Sequence, residues 1–124
     1  MLVQGVPPYN PTFQYSSPLK TLWRKGKLPS VKRGLYNGIL TKRSVSLEHL
    51  DCFCYSHNSN LSNLALATKE NNWKRGNKDI REFLTPELAK KYLKQFENIS
   101  IDGFDGNKYI EMVKTTLSKL GVAC

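Results

Sequence analysis

The first 47 residues of this 124-residue chain contain no aspartate or glutamate, whereas Lys20, Arg24, Lys25, Lys27, Lys32, Arg33, Lys42 and Arg43 all fall among them. That stretch therefore offers no acidic surface for a basic partner or a hard cation. Cysteine is scarce as well: there are three, Cys52 and Cys54 are too close for an ordinary bridge, and Cys124 is the last residue. Disulfides are not expected to hold the fold. The C-x-x-C pairs of a structural zinc site are also missing, so no structural zinc is expected. No run approaches the ~18 apolar residues that span a bilayer. The start, MLVQGVPPYNP, lacks the basic segment and apolar stretch of a secretory signal. The expectation is a cytoplasmic protein with no membrane partner.

What is present is ordinary for a folded domain: 40% hydrophobic and 23% charged residues, in a length that suits one core. Nineteen Lys and Arg against ten Asp and Glu give a net charge of +9. Such a balance favours a polyanionic partner through steering and counterion release, and nucleic acid leads. The plainer account, in which the charges only solvate a surface, stands beside it.

Residues 1–19 carry Pro7, Pro8, Pro11 and Pro18 and show no apolar period. They read as an extended arm preceding a single domain over 20–124. Leu19, Leu22 and Trp23 suit one buried face of a helical turn that Gly26 and Pro29 would stop. Asn37-Gly38 between apolar pairs predicts a tight type I′ hairpin. In SVSLEHL, Val45, Leu47 and His49 alternate with Ser46, Glu48 and Leu50, which predicts a strand. A polar loop over 51–62 and a strand over 63–67 follow. Thr68 is placed to cap a short helix that ends at Gly76. Two amphipathic helices come next, 85–96, with Thr85 as cap and Pro86 at its first position, and 107–120, with Ile110, Val113, Leu117 and Leu120 on one stripe. The link Asp102-Gly103-Phe104-Asp105-Gly106 reads as a turn with a helix cap. The fold class is α+β.

Within this order, Glu48-His49 ends one strand, Asn63 opens the next fourteen residues after His49, and Asn72 lies nine further on in the short helix, before Arg75-Gly76. Over residues 45–77 this pattern resembles the HNH endonuclease family, in an HNN variant without zinc. Domains of this size resemble those of phages and mobile elements. The resemblance implies a ββα-metal core flanked by the hairpin and the two C-terminal helices. It also implies metal-dependent hydrolysis of DNA phosphodiesters, as an endonuclease or a nickase. His49 would be the general base, since a neutral imidazole can take a proton from water at cellular pH. Glu48 and Asn72 would hold Mg²⁺, with Mn²⁺ as a substitute, through hard oxygens. Asn71, next to Asn72, is the alternative ligand. Asn63 would tie the long loop together and orient His49. Lys74 and Arg75 would meet phosphates near the scissile one, and Lys32, Arg33, Lys42 and Arg43 would hold the duplex farther out.

The chain departs from the family pattern in three places. Glu replaces the usual Asp at 48, Leu50-Asp51-Cys52 replaces the usual proline segment, and His57-Asn58-Ser59-Asn60 replaces a glycine pair. Asp51 or His57 is left as a possible helper of the metal. Trp73 is expected in the core, and the two C-terminal helices are assigned no site. The alternative function is a non-catalytic basic DNA-binding protein on the same scaffold, such as a phage regulator. A homodimer is allowed but not indicated.

Overall fold

The computed structural model describes the backbone from residue 11 and the side chains from residue 18. Its elements are α1 (Pro11–Arg24), β1 (Val45–His49), α2 (Phe53–Ser56), β2 (Leu64–Thr68), α3 (Lys69–Arg75), α4 (Pro86–Lys94), β3 (Ser100–Ile101), β4 (Phe104–Asp105) and α5 (Gly106–Lys119). The architecture is α+β with two small antiparallel sheets, β1–β2 and β3–β4.

Helix α1 corrects the expected arm over 11–19. Pro11 stands at its first position, where a missing N–H costs nothing, and Pro18 is accommodated inside. The part of the arm before residue 11, with Tyr9, lies outside the described residues, as do the side chains of Phe13 and Tyr15. The helical turn expected farther on is there: Leu19 and Leu22 are buried, Trp23 packs beside them, and Gly26 leaves the helix at φ +75°.

Strands β1 and β2 pair from Val45↔Thr68 to His49↔Leu64. All five residues of β2 are buried, because the pair is covered on both sides. Two alanines serve this strand despite weak β propensity, since Ala65 and Ala67 let other chain segments come close. Gly34 lies so near β2 that a Cβ there would stand 2.7 Å from Ala67 Cα. One at Gly38 would meet Thr68 Cγ2 at 2.7 Å.

The hairpin at Asn37-Gly38 forms, but not as a type I′ turn. Gly34 and Gly38 close a three-residue loop, with Asn37 N–H on Gly34 O at 2.9 Å and only Asn37 at positive φ, 72°. This is a turn followed by a left-handed residue, and its single bridge joins Arg33 to Ile39. The two-residue turn with positive φ at both positions occurs instead at Asp102 (49°) and Gly103 (81°), between β3 and β4.

The helices follow their caps. Thr68 Oγ1 accepts from Asn71 N–H, Thr85 Oγ1 from Leu88 N–H, and Asp105 Oδ1 from Lys108 N–H. Helix α5 buries Tyr109, Val113 and Leu117, a stripe that uses Tyr109 where Ile110 was expected. The aromatic rings of Tyr92, Phe96, Phe104 and Tyr109 stack edge-on or tilted at 4.8–6.1 Å behind β2. The two tyrosine hydroxyls end on the strand itself: Tyr109 Oη donates to Leu64 O at 2.6 Å, and Leu66 N–H donates to Tyr92 Oη at 2.8 Å.

Candidate functional site

His49 closes β1, and its ring is half-buried against Phe53, with centroids 5.2 Å apart. Nε2 lies 3.0 Å from Ser59 Oγ. In the tautomer protonated at Nε2, the serine oxygen accepts that proton and Nδ1 is left as the basic nitrogen. Burial, and then the nearby Arg75 charge, lower the imidazole pKa below its usual value. The ring is therefore neutral at neutral pH, the form a proton acceptor needs. Ser59 was not singled out from the sequence, and a serine in a polar loop carries no signal that would have done so.

The loop that brings Ser59 to His49 is held by Asn63, which is buried. Its Oδ1 accepts from Asp51 N–H at 2.8 Å, and its Nδ2 donates to Asp51 O at 3.1 Å and Asn58 O at 2.8 Å. One carboxamide thus joins the two ends of the β1–β2 connection. The short helix α2 and a 3₁₀ turn at Leu61–Asn63 interrupt what was expected as plain loop.

Asn72 points from α3 at the outer edge of β1. Its Nδ2 donates to Leu47 O at 2.9 Å and to Ser46 Oγ at 3.2 Å. Both donors are spent on the strand, and among the described residues Oδ1 accepts no hydrogen bond, which leaves it as an oxygen ligand. Asn71 lies elsewhere, with its amide nitrogen against Gly38.

Glu48 is a correction. It lies on the opposite face of β1 from His49, 3% exposed, with Tyr36 Oη donating to its Oε2 at 2.6 Å and Arg75 Nη1 at 3.4 Å. Burial pushes its carboxyl up, against the pull of Tyr36 and Arg75. A carboxylate committed in this way is not the expected metal ligand. Of the two predicted ligands, Asn72 is the one whose oxygen lies outside a buried ion pair. The described residues contain no group of three His, Cys, Asp or Glu side chains that could hold a metal. Asn72 Oδ1 is a hard oxygen of the kind that Mg²⁺ takes, with water and phosphate oxygens supplying further ligands.

Arg75 is a second correction. Expected on a phosphate, it is 3% exposed, and its guanidinium donates to His49 O at 2.6 Å and Lys78 O at 2.9 Å. It anchors α3 to the end of β1. Trp73 is a third, because the ring expected in the core is 83% exposed. The inward positions of α3 are taken by Asn72 and Arg75, three residues apart, and this turns Trp73 outward.

Lys74 is exposed beside Glu70 at 3.5 Å, and Lys32, Arg33, Lys42 and Arg43 are exposed on the segment between α1 and β1. Asp51 keeps its place next to the loop tie, and His57 is exposed, with its ring 5.3 Å from Phe53. Cys52 and Cys54 are free thiols.

Comparisons with family models, curated proteins and solved structures return no match. Among the described residues, no helix is long and apolar enough to cross a membrane.

Proposed function

We propose that this chain is a metal-dependent DNA endonuclease or nickase of the HNH type, with His49 as its general base. The observation that carries this is the order strand, tied loop, strand, helix. It combines a neutral His49, oriented through Nε2 by Ser59, with an Asn72 whose only uncommitted atom is an oxygen.

In the reaction, water attacks phosphorus while His49 Nδ1 takes its proton. The bond from phosphorus to the leaving oxygen breaks, and that oxygen is protonated by solvent. A positioned base of this kind contributes roughly 10²- to 10⁴-fold. Asn72 Oδ1 would hold Mg²⁺ or Mn²⁺, which supplies positive charge for the phosphate and the departing oxygen. Asn63 acts at one remove, by fixing the loop that fixes Ser59. Lys74, Lys32, Arg33, Lys42 and Arg43 would supply salt-sensitive phosphate contacts.

A second reading, a non-catalytic DNA-binding protein, is favoured by the withdrawal of Glu48 into its pair with Arg75. The test is cleavage of supercoiled plasmid with Mg²⁺ or Mn²⁺ and with EDTA, using wild type, His49→Ala and Asn72→Ala. Nicked or linear product that needs metal and is lost in both variants is expected. Salt-sensitive DNA binding with no cleavage by the wild type would replace the nuclease with the binding protein.

A further inference from the structure

Among the described residues, Trp73 is the most exposed of the large hydrophobic side chains, on a helix whose other face is turned to the strands. A tryptophan surrounded by water forgoes most of what its area could gain by burial, and such rings are over-represented where a partner binds. Its surroundings narrow the choice of partner.

Lys69 is one helical turn before Trp73, on the same outward face of α3. Its backbone N–H donates to Ser44 O at 2.6 Å, so α3 begins against the turn that carries Lys42 and Arg43. Arg24, at the end of α1, reaches that turn from the other side, with Nη2 on Lys42 O at 3.3 Å. Lys20 sits close enough to Arg24 and Lys69 that burial and these two charges lower its ammonium pKa. Among the described residues, none of Lys20, Arg24, Lys42 or Lys69 pairs with a carboxylate. The one acid on the outward face of α3, Glu70, is taken by Lys74.

We infer that Trp73 and the unpaired cations Lys20, Arg24, Lys42 and Lys69 form a binding surface for an unpaired stretch of nucleic acid, with a base stacked on the indole and the adjoining phosphates on the cations. Aromatic stacking next to a cationic track is how single strands are held without sequence choice. A protein partner of acidic character would satisfy the cations but would leave the flat, isolated indole without a stacking group. The inference rests on the nucleic-acid reading above and adds the strand state that the surface prefers.

The experiment uses the full chain in EDTA, so that binding is read without cleavage. A fluorescently labelled oligo-dT and a duplex of equal length are titrated by anisotropy, and intrinsic tryptophan emission is followed in parallel. Trp23 serves as an internal control, since its indole N–H is bonded to Val31 O at 2.7 Å. Oligo-dT is expected to bind more tightly than duplex and to quench emission in the wild type but not in Trp73→Phe. Trp73→Ala is expected to weaken oligo-dT binding on the order of 5- to 150-fold, and Trp73→Phe to recover most of that loss. Because the ring is exposed, neither variant threatens folding. Salt-sensitive binding with no quenching and no loss in Trp73→Ala would overturn the stacking surface and leave the nucleic-acid reading standing. Absence of binding to either oligonucleotide would overturn both.

Discussion

The two sides of the β1–β2 pair are held by different chemistry. Behind β2, the side-chain contacts are apolar apart from two tyrosine hydroxyls, and α4 and α5 bring aromatic rings that exclude water. In front, along β1 and its loop, the same task falls to Asn63, Asn72, Arg75 and Glu48. The back is built from area, which tolerates small shifts, whereas the front is built from directional bonds, which do not. A site that must keep His49 in one orientation gains from the second kind of support, at the cost of polar groups that are expensive to leave unpaired.

Breaking the front should therefore cost most. Arg75→Ala leaves the Glu48 carboxylate buried without its cation and is expected to lower stability by about 3–5 kcal/mol, read as a fall in the urea midpoint. If Glu48→Gln in that background restores little, the charge is not the cause. Asn63→Ala opens three hydrogen bonds of the loop and is expected to cost about 3 kcal/mol. Hydrogen exchange at Asp51 and Asn58–Ser59 should accelerate, with β2 unaffected.

On the back, Tyr109→Phe removes only a hydroxyl, the one that donates to Leu64 O and meets Tyr92 Oη at 2.9 Å. A loss of about 1.5 kcal/mol is expected, smaller than that of Asn63→Ala, and the reverse ranking would sink the contrast between the two sides. Thr85→Ala removes the cap of α4 and should cost about 1 kcal/mol in the same unfolding assay.

The smallest effect is the pH response of His49. Its folded pKa is depressed, so the unfolded imidazole protonates first, near pH 6.5, as pH falls. The stability tied to this residue is complete above that pH and declines as pH drops through the folded value. Urea midpoints at pH 7.5 and 5.5 should differ less in His49→Gln than in wild type.

How much of this could be read from the sequence follows the same division. Elements defined by local chemistry were legible: the Thr68 and Thr85 caps, Gly76 as a stop, the β1 alternation and the α4 face each depend on residues a few positions apart. Asn63 too was marked as a loop tie, by what the family resemblance implied for its position. What was not legible depended on distant partners. Glu48 reads as a metal ligand until Arg75 and Tyr36, far away in the chain, arrive to hold its carboxylate in the interior. Trp73 reads as core until the inward side of a seven-residue helix proves to be filled by an asparagine and an arginine. The Asn37-Gly38 turn lost its expected form because Gly34 and Gly38 are needed against β2, a demand that no local pattern expresses. Helix α1 was hidden by its prolines, one of which is merely its first residue.

The outward edges of the two-stranded pair have a consequence for how the protein behaves in concentrated solution. Leu47 O is taken by Asn72, His49 O by Arg75, Leu64 O by Tyr109 and Leu66 O by the Leu35 N–H. Exposed ribbons of two strands invite a third from a neighbouring molecule, the first step of strand-exchanged oligomers and fibrils. Here three side chains and the Leu35 backbone occupy the places where such a strand would bond. Aggregation by edge pairing must therefore begin with the loss of α3 or of the tyrosine contacts, so that Arg75→Ala and Tyr109→Phe would free opposite edges of the same ribbon.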